Sequence, residues 1–212
     1  MSKSLTTLIT NAQALLLDDG TRFTVPTMTA AVRAALKEIN QRAPINAAEL
    51  TDAISDQLEY EVTDPLAISI GDILLWDAQG DKHKPLDYDD YSEDERLYFR
   101  LRSAQPSGKF LVVRYTIPHT VNGLDSQTES TIPAFYDDTL LDGTCFYACQ
   151  IRSIGRIETI NLNQGVSENL LDAKIYFRQA FDIGLSLMSR KKPAVSEADT
   201  RTWDDEWHNR YQ

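Results

Sequence analysis

The side chains in this sequence that could do chemistry are three histidines, two cysteines and several clustered carboxylates. A zinc site or a catalytic triad needs such groups at a recognisable spacing or brought together by neighbouring elements. His83, His119 and His208 stand in a predicted turn, at a strand end and near the C-terminus, and none has a partner at such a spacing. The sequence therefore predicts structural or solvent-exposed histidines rather than a catalytic site.

Cys145 and Cys149 are the only cysteines, and they lie four residues apart on a predicted helix. That spacing places both thiols on one helix face, where the geometry suits packing better than a disulfide. A soft metal could use both thiols with His119, but a pair without a further clustered ligand is more typical of a core. We predict reduced, buried thiols and no metal site.

Carboxylates cluster in two places. Asp137 and Asp138 are adjacent, so in a helix their side chains point about 100° apart, which disfavours an acid–base pair and fits a first helical turn. The stretch from Asp87 to Glu95 holds six carboxylates in nine residues but lacks the spacing of a calcium-binding loop, so we predict a solvated loop. Because no glycine-rich phosphate loop occurs either, the chain is predicted not to be an enzyme and to need no cofactor.

Composition sets further limits. The 212 residues are 42% hydrophobic, which is enough for a substantial core. A net charge of −11 and a pI near 4.7 disfavour nucleic-acid binding, which depends on Lys and Arg neutralising phosphates. The sequence shows neither the pattern of a secretory signal nor an apolar run that could span a membrane. We expect a soluble protein made in a reducing cytosol.

The elements that position these residues begin with two amphipathic helices. Apolar residues at helical spacing predict one helix from Leu5 to Leu17 and another from Thr29 to Gln41, with an extended stretch from Thr21 to Pro26 between them. From Gln57 to Val121 the apolar period becomes alternating, which predicts a small antiparallel sheet inserted between helical regions. Two runs are apolar at nearly every position and are predicted to be strands in the middle of a sheet or strands covered on both sides: Ile68 to Trp76 and Phe110 to Ile117.

The segment from Ile132 to Arg190 predicts a helical hairpin. Pro133 is tolerated in the opening turn of the first helix, and the stretch from Asn161 to Gly165 breaks the helical pattern. The second helix is predicted to begin at the N-cap Ser167.

The second helix of the hairpin has more apolar surface than one buried face needs. One stripe comprises Leu170, Ala173, Phe177, Phe181, Gly184 and Met188. A second stripe, about 100° round the axis, comprises Tyr176, Ala180, Ile183 and Leu187. A surface helix of a monomer buries one stripe. We therefore predict that the first stripe packs on the hairpin partner and that the second contacts a neighbouring subunit.

The C-terminal tail carries three aromatic residues, Trp203, Trp207 and Tyr211, at four-residue spacing. In a helix all three rings would lie on one face, with Asp204 and Asp205 away from it. The stripe could pack on the protein's own body. Because Pro193 and a charged connector separate it from the hairpin, we instead predict a segment that docks on a partner protein or on an adjacent subunit.

These patterns predict an α+β fold: a helical bundle or hairpin core, an inserted small antiparallel β-sheet and an extended or helical C-terminal tail. The predicted segments are 1–56 for the N-terminal helices, 57–121 for the β insertion, 122–192 for the helical hairpin that completes the bundle and 193–212 for the docking tail.

The order of these elements resembles the head-to-tail adaptor, or connector, proteins of tailed bacteriophages. The resemblance spans roughly Thr29 to Arg190, with a sheet ending in Val-Val-Arg-Tyr-Thr-Ile-Pro-His119 and with Ile-Pro-Ala-Phe-Tyr-Asp-Asp138 leading into the hairpin. It implies a structural virion protein of the neck, made in the host cytoplasm. Such a protein forms a homo-oligomeric ring, commonly a dodecamer, between the portal protein and the downstream tail or nozzle proteins. The helix from Leu5 to Leu17 precedes the part that the resemblance covers.

The resemblance also implies that the ring continues the DNA channel and has no catalytic residue and no membrane partner. An acidic chain fits that role, because it would repel DNA and let it slide without specific binding. The alternative interpretation of the same pattern is a non-enzymatic protein-binding module or assembly chaperone that oligomerises through its helical hairpin.

Overall fold

The computed structural model describes residues 4–18, 20–77, 80–157 and 164–190. Within these residues it contains four α-helices and two antiparallel sheets, which confirms the predicted α+β fold class. The described chain divides into a helical unit, which holds the residues up to Ala43 and from His119 onward, and a β unit from Pro44 to Pro118. The division of the whole chain into four segments stays a prediction, and the tail from residue 193 lies outside the described residues.

The two N-terminal helices begin at residues that suit a first helical turn, a serine N-cap for α1 and a proline in the first turn of α2. Helix α1, Leu5–Leu15, follows Ser4, whose hydroxyl accepts a 3.4 Å hydrogen bond from the Thr7 N–H. Helix α2, Val25–Arg42, starts about one turn earlier than predicted, so the expected extended conformation is wrong for its first two residues. The second of them, Pro26, is tolerated because the first turn of a helix leaves its N–H groups unpaired anyway.

Helix α1 ends in a tight turn built on a leucine. The Asp18 N–H donates to the Gln13 carbonyl at 2.9 Å, and the Leu17 N–H donates to the Ala14 carbonyl at 3.1 Å, which is the bond pair of a Schellman cap. Leu17 has a φ of 50°, a left-handed conformation that costs a residue with a Cβ about 1 kcal/mol. The Asp18 carboxylate then accepts hydrogen bonds from three later N–H groups, those of Gly20, Arg22 and Phe23.

The predicted hairpin helices are present, but their ends differ from prediction. A 3₁₀ turn, Ala134–Tyr136, leads into α3, Asp137–Ile157, and α4 spans Gln164–Arg190. Ser167 is therefore not the N-cap but lies inside α4, together with Gly165. Serine costs only about half a kcal/mol inside a helix, so residue type alone did not place the start. The remainder of the predicted loop, residues 161–163, lies outside the described residues.

Helix α3 is the element around which the helical unit packs, since it contacts α1, α2 and α4. Two clusters of buried side chains join the four helices, and their fully buried members include Leu8, Met28, Ile39, Leu140 and Phe181. Burying one large apolar side chain stabilises a fold by about 2 kcal/mol. Side-chain packing on α3 therefore holds these helices together, more than helix propensity does.

The β unit holds two antiparallel sheets, whereas the sequence predicted one. The strands in chain order are β1 Ile45–Asp52, β2 Glu59–Glu61, β3 Ser69–Asp77, β4 Gly80–Pro85, β5 Tyr88–Glu93, β6 Arg96–Leu101 and β7 Phe110–Ile117. The strand order is β1-β7-β3-β4 in the first sheet and β2-β6-β5 in the second. Strands β3 and β7 are interior, as their nearly continuous apolar runs predicted.

Strand β1 was not predicted, and it falls within residues 1–56, where the sequence indicated only helices. Its central residues, Ala47 to Leu50, favour helices by propensity. Eight consecutive residues nevertheless pair with β7, from Ile45 opposite Ile117 to Asp52 opposite Phe110. Pairing with an apolar interior strand therefore overrides the local preference.

The acidic segment is a strand, not the solvated loop that the sequence predicted. Strand β5 lies beside β6, with Asp89 opposite Arg100 and Glu93 opposite Arg96. Opposite charges on facing strands offset the repulsion among the carboxylates, which favours pairing. The carboxylates from Asp87 to Glu95 remain exposed, as expected for an edge strand protected against further pairing.

Candidate interaction surface

Helix α4 has one buried face and one exposed face. Phe177, Phe181 and Met188, which belong to the first predicted stripe, are buried, and Leu185 joins them. They lie in the core clusters with residues from α1, α2 and α3. The prediction that this stripe packs inside the protein is confirmed.

Two glycines allow α3 and α4 to approach closely. A Cβ on Gly143 of α3 would come within 2.7 Å of the Phe181 ring, and a Cβ on Gly184 of α4 would overlap the Thr139 side chain. Because such distances are shorter than real carbon contacts, both positions require glycine at this spacing. The close approach fixes which side of α4 faces inward.

The opposite side of α4 is exposed and largely apolar. Between residues 170 and 189, eight residues are exposed, and five of them are large and apolar: Leu171, Ile175, Tyr176, Ile183 and Leu187. We call these five residues the outer α4 face. Asp172 is the single charged residue among the eight. Each helix that the structure describes has too short an apolar stretch to traverse a bilayer. A face of this kind is typical of a surface that another protein covers.

Three of the four residues predicted for a subunit interface lie on the outer α4 face. Tyr176 is 65% exposed, Ile183 is 64% exposed and Leu187 is also exposed, whereas Ala180 is half-buried between this face and the buried stripe. Their role as an interface stays a prediction. Leu171 and Ile175 were missed, although their four-residue spacing is a helical signal that could have found them.

A charged network holds α4 in register with α2. Glu38 is buried, and its carboxylate accepts two 3.0 Å hydrogen bonds from Arg178 and one of 2.7 Å from the Tyr147 hydroxyl. Arg178 also donates to Asp182 one turn further along α4. Arg42 reaches both acids, with a 2.7 Å ion pair to Glu38 and one of 3.2 Å to Asp182. Paired in this way, the buried charge orients α4 instead of destabilising it.

The network changes the protonation of its members. Burial opposes the ionisation of Glu38, but hydrogen bonds from Arg178 and Tyr147 and the charges of Arg178 and Arg42 outweigh it, so the pKa of Glu38 lies below its ordinary value. Burial, together with the hydrogen bond to Glu38, raises the pKa of Tyr147 to about 12. Glu38 is therefore ionised and Tyr147 protonated at neutral pH.

His119, one of the residues that the sequence analysis considered for chemistry, is buried in the structure. Its Nε2 lies 3.1 Å from the Ala43 carbonyl oxygen, and its main-chain N–H donates to Asn40 Oδ1 at 2.7 Å. Burial lowers the pKa of His119 despite the carbonyls of Ala43 and Thr131. These contacts give a neutral imidazole a structural role. The side chain of His83 and all of His208 lie outside the described residues.

The two cysteines are buried and unpaired within α3. Burial raises the pKa of Cys145, and it raises the pKa of Cys149 to about 11. Since the thiolate is the reactive form, neither thiol is activated as a nucleophile at neutral pH. Within the residues that the structure describes, no three His, Cys, Asp or Glu side chains cluster as metal ligands would.

The predicted pair of acids opens α3, with Asp137 buried and Asp138 exposed in its first turn. One turn later, Asp142 is half-buried, and its pKa is raised to about 6, first by burial and then by the charge of Asp138. Burial and the neighbouring Asp138 are enough to explain the raised pKa of Asp142. The sequence pattern missed Asp142, because it showed no sign of the burial.

The second sheet presents a charged outer face that contrasts with α4. Arg96 pairs with Glu61 across β2 and β6, Arg100 lies 3.9 Å from Glu59, and Tyr98 stacks on Tyr91 of β5. Arg102 adds a 3.1 Å ion pair to Asp89. These charged and aromatic groups are therefore paired with groups of the same chain, and such cross-strand pairs stabilise the sheet.

No protein-family model matches the sequence, and no curated protein is similar to it. A chain from the neck of an empty gene transfer agent particle with C6 symmetry is similar at 13% identity and a TM-score of 0.30, over 66% of this chain and 75% of that one.

Two further solved chains are similar at the same level. One belongs to the virion of a native gene transfer agent particle, with 13% identity and a TM-score of 0.30 over 58% of this chain and 66% of that one. The other belongs to the neck of a native particle with C12 symmetry, with 14% identity and a TM-score of 0.29 over 77% and 83%.

Proposed function

We propose that this chain is a structural virion protein, a head-to-tail adaptor that forms a ring in the neck between the portal protein and the tail. The ring would continue the DNA channel, contain about twelve subunits and carry out no reaction. The order of elements supports the proposal, since helices flank a β insertion in sequence and a long helical pair follows it, as the resemblance to adaptor proteins implies.

The observation that carries the proposal is the outer α4 face. A chain with a net charge of −11 has plenty of charged residues to cover its surface, yet this face exposes five large apolar side chains and one charge. Covering a Leu or Ile side chain stabilises an interface by about 2 kcal/mol, so the face gains free energy only when a second surface covers it. A neighbouring subunit in a ring provides such a surface.

The acidic charge supports the conduit part of the proposal. Proteins that bind the DNA backbone neutralise phosphates with Lys and Arg, and this chain has 21 of these against 32 Asp and Glu. A ring of such chains would repel DNA and let it pass without a specific contact.

The experiment that tests the proposal compares two aspartate substitutions in the helical unit. Ile183→Asp puts a charge in the outer α4 face, and the control Gln41→Asp puts the same charge on an exposed position of α2. Both variants should fold as the wild type does, measured by circular dichroism. When each is mixed with the cognate portal protein, electron microscopy should show rings for the wild type and Gln41→Asp but not for Ile183→Asp, because a buried unpaired charge costs several kcal/mol.

Two outcomes would contradict the proposal. Rings that form normally with Ile183→Asp would show that the outer α4 face is not the subunit interface. A discrete one-to-one complex of the wild type with the portal or another neck protein would favour the assembly chaperone or binding module instead.

The tail is proposed to dock on the portal or on the adjacent subunit through Trp203, Trp207 and Tyr211. Removing residues 194–212 should leave the melting temperature of the free protein nearly unchanged and abolish attachment to the portal. Trp203→Ala and Trp207→Ala should each weaken attachment by about 2 kcal/mol, as aromatic anchors do. If the truncated protein unfolds, the aromatic stripe belongs to its own core.

A further inference from the structure

The chain leaves the helical unit and returns to it at two neighbouring points. Ala43 is the last residue of the helical unit before the β unit, and His119 is the first residue after it. A proline follows the exit, Pro44, and another precedes the return, Pro118. The His119 ring lies 3.1 Å from the Ala43 carbonyl oxygen, so the exit and the return are held together within the helical unit.

Asn40, near the end of α2, holds the return through its main chain. Its side-chain oxygen accepts a 2.7 Å hydrogen bond from the His119 N–H, and its side-chain nitrogen donates to the His119 carbonyl at 3.3 Å. We call Asn40, Ala43 and His119 the crossing latch. Within the latch, the bond from the imidazole to the Ala43 carbonyl is the one that reaches the exit itself.

The surroundings of the His119 ring fix its protonation. A carbonyl oxygen only accepts hydrogen bonds, so Nε2 carries the proton that faces Ala43 and Nδ1 carries a lone pair. Among the described residues, Nδ1 is the one buried side-chain nitrogen or oxygen without a hydrogen-bond partner. A second proton would make Nδ1 a charged, buried donor for which no described residue provides an acceptor, and burial of such a group is unfavourable.

No charged side chain of the described residues offsets this effect. Burial lowers the pKa of His119 and outweighs the carbonyls of Ala43 and Thr131, which favour the charged ring. The charged side chains on α2 and on the loop that contains Thr131 are paired or exposed, and none of them shifts the pKa of His119: Arg33, Lys37, Glu38, Arg42, Asp125 and Glu129.

We propose that the crossing latch is a pH-sensitive switch, closed while the His119 imidazole is neutral and opened when the ring takes up a second proton. Opening separates the exit from the return on the helical side only. On the β side the chain continues into β1 and β7, where Ile45 lies opposite Ile117 in a main-chain pairing that no titrating group maintains. The opening is therefore local, and it does not depend on the proposed ring.

Acid should open the latch. Because folding lowers the pKa of His119, the stability that the neutral ring contributes is present above the ordinary imidazole value of about 6.5 and is lost as pH falls through the lower folded value. Asp142 responds in the opposite direction, since its pKa is raised to about 6 and protonation favours the folded state. A test must therefore compare proteins that differ at His119 and keep Asp142.

The test is His119→Gln, because the amide nitrogen of glutamine donates to a carbonyl as Nε2 does but does not titrate. Hydrogen exchange of the main-chain amides is followed by mass spectrometry at the same pH for both proteins. At about pH 7.5 the segment from His119 to Thr131 should exchange alike in both, and at about pH 5 it should exchange several-fold faster in the wild type. The amides of α3 should stay equally protected in both proteins.

The matched control keeps His119 and replaces the other two histidines of the chain, by His83→Gln together with His208→Gln. It should lose protection in acid as the wild type does. Equal exchange of the wild type and His119→Gln at about pH 5 would overturn the inference. Faster exchange that extends through α3 would also overturn it, because that pattern means general unfolding and not the opening of a latch.

The control protein carries the test by itself if His119→Gln does not fold, because His119 is then its single imidazole. Nuclear magnetic resonance should show that this ring titrates below the ordinary imidazole pKa and that the segment from His119 to Thr131 loses amide protection over the same pH range. A ring that titrates at or above the ordinary value would overturn the inference.

Discussion

Two exposed faces of this chain, one in each unit, meet solvent in opposite ways. The outer α4 face presents five large apolar side chains, and no residue that the structure describes covers them. The outer face of the second sheet is charged, with Arg96 and Arg100 of β6 set beside Glu61 and Glu59 of β2. Both faces are exposed to solvent, but among the described residues only the face of the sheet has partners for its outward groups.

The difference shows which exposed side chains find partners when a single chain folds and which do not. Cross-strand ion pairs form as the sheet forms, so the charged face needs nothing further. Apolar side chains gain free energy only when water is removed from them, which a single copy does not achieve on the outer α4 face. The outer α4 face is therefore the one for which we propose an interaction, whereas the charged groups of the second sheet already have partners within the chain.

The largest expected contrast lies within α4, between residues two positions apart. Phe181→Ala should lower the free energy of unfolding by about 4 kcal/mol, because the ring is fully buried beside Gly143. Ile183→Ala should change it by no more than about 0.5 kcal/mol, since that side chain is exposed. Urea unfolding of the purified variants measures both. A large loss for Ile183→Ala would mean that the outer α4 face is covered in the free protein.

The next largest effect concerns the network that orients α4. Glu38→Gln removes the charge that holds Arg178 and should cost about 2 kcal/mol at neutral pH. Because the pKa of Glu38 is lowered on folding, its contribution is present above the ordinary carboxyl pKa and is lost as pH falls through the lower folded value. Acid should therefore narrow the gap between wild type and variant. A gap that stays constant down to about pH 3 would contradict this.

A smaller effect of opposite sign is expected at Asp142. Its pKa is raised to about 6, so the folded state favours the protonated form, and stability falls as pH rises through that value. Asp142→Asn should stabilise the protein by about 1 kcal/mol at pH values above 6, allowing for solvent screening of a half-buried group. The gain should vanish near pH 4, where the unfolded carboxyl also protonates. Thermal unfolding at both pH values checks the sign.

The smallest effect is expected on the sheet. Arg96→Ala removes the partner of Glu61 on an exposed face and should cause only a slight loss of stability. High salt should erase even that difference, because exposed charges are screened. Ring formation should be unaffected. A loss of ring assembly in this variant would contradict the comparison and would show that the charged face of the second sheet is part of an interface.

Local sequence pattern was sufficient for the long helices and the interior strands. The apolar period of α4 predicted two stripes because a helix repeats every few residues regardless of what packs on it. Strands β3 and β7 were predictable from their apolar runs for the same local reason. The predicted interface residues Tyr176, Ile183 and Leu187 came from this period alone, and the structure places them on the exposed side.

Elements that depend on distant partners were missed. Strand β1 has a helix-favouring sequence and forms because β7 lies beside it, more than fifty residues away in the chain. The acidic strand β5 forms because β6 supplies arginines at matching positions. The left-handed Leu17 could not be predicted either, since residue preference favours glycine there and only the completed cap and the bonds of Asp18 impose the conformation.

The sequence by itself determined the α+β class, the acidic character and the surplus of apolar surface on α4, because each follows from composition or from a period along the chain. Tertiary structure decided which side of α4 is buried. Gly143 and Gly184 permit a close approach on one side only, and Glu38 of α2 pairs with Arg178 to hold that rotation. The side of α4 that remains exposed is the outer α4 face. Contacts with other helices set the rotation of α4 about its axis, and the spacing of residues within α4 does not.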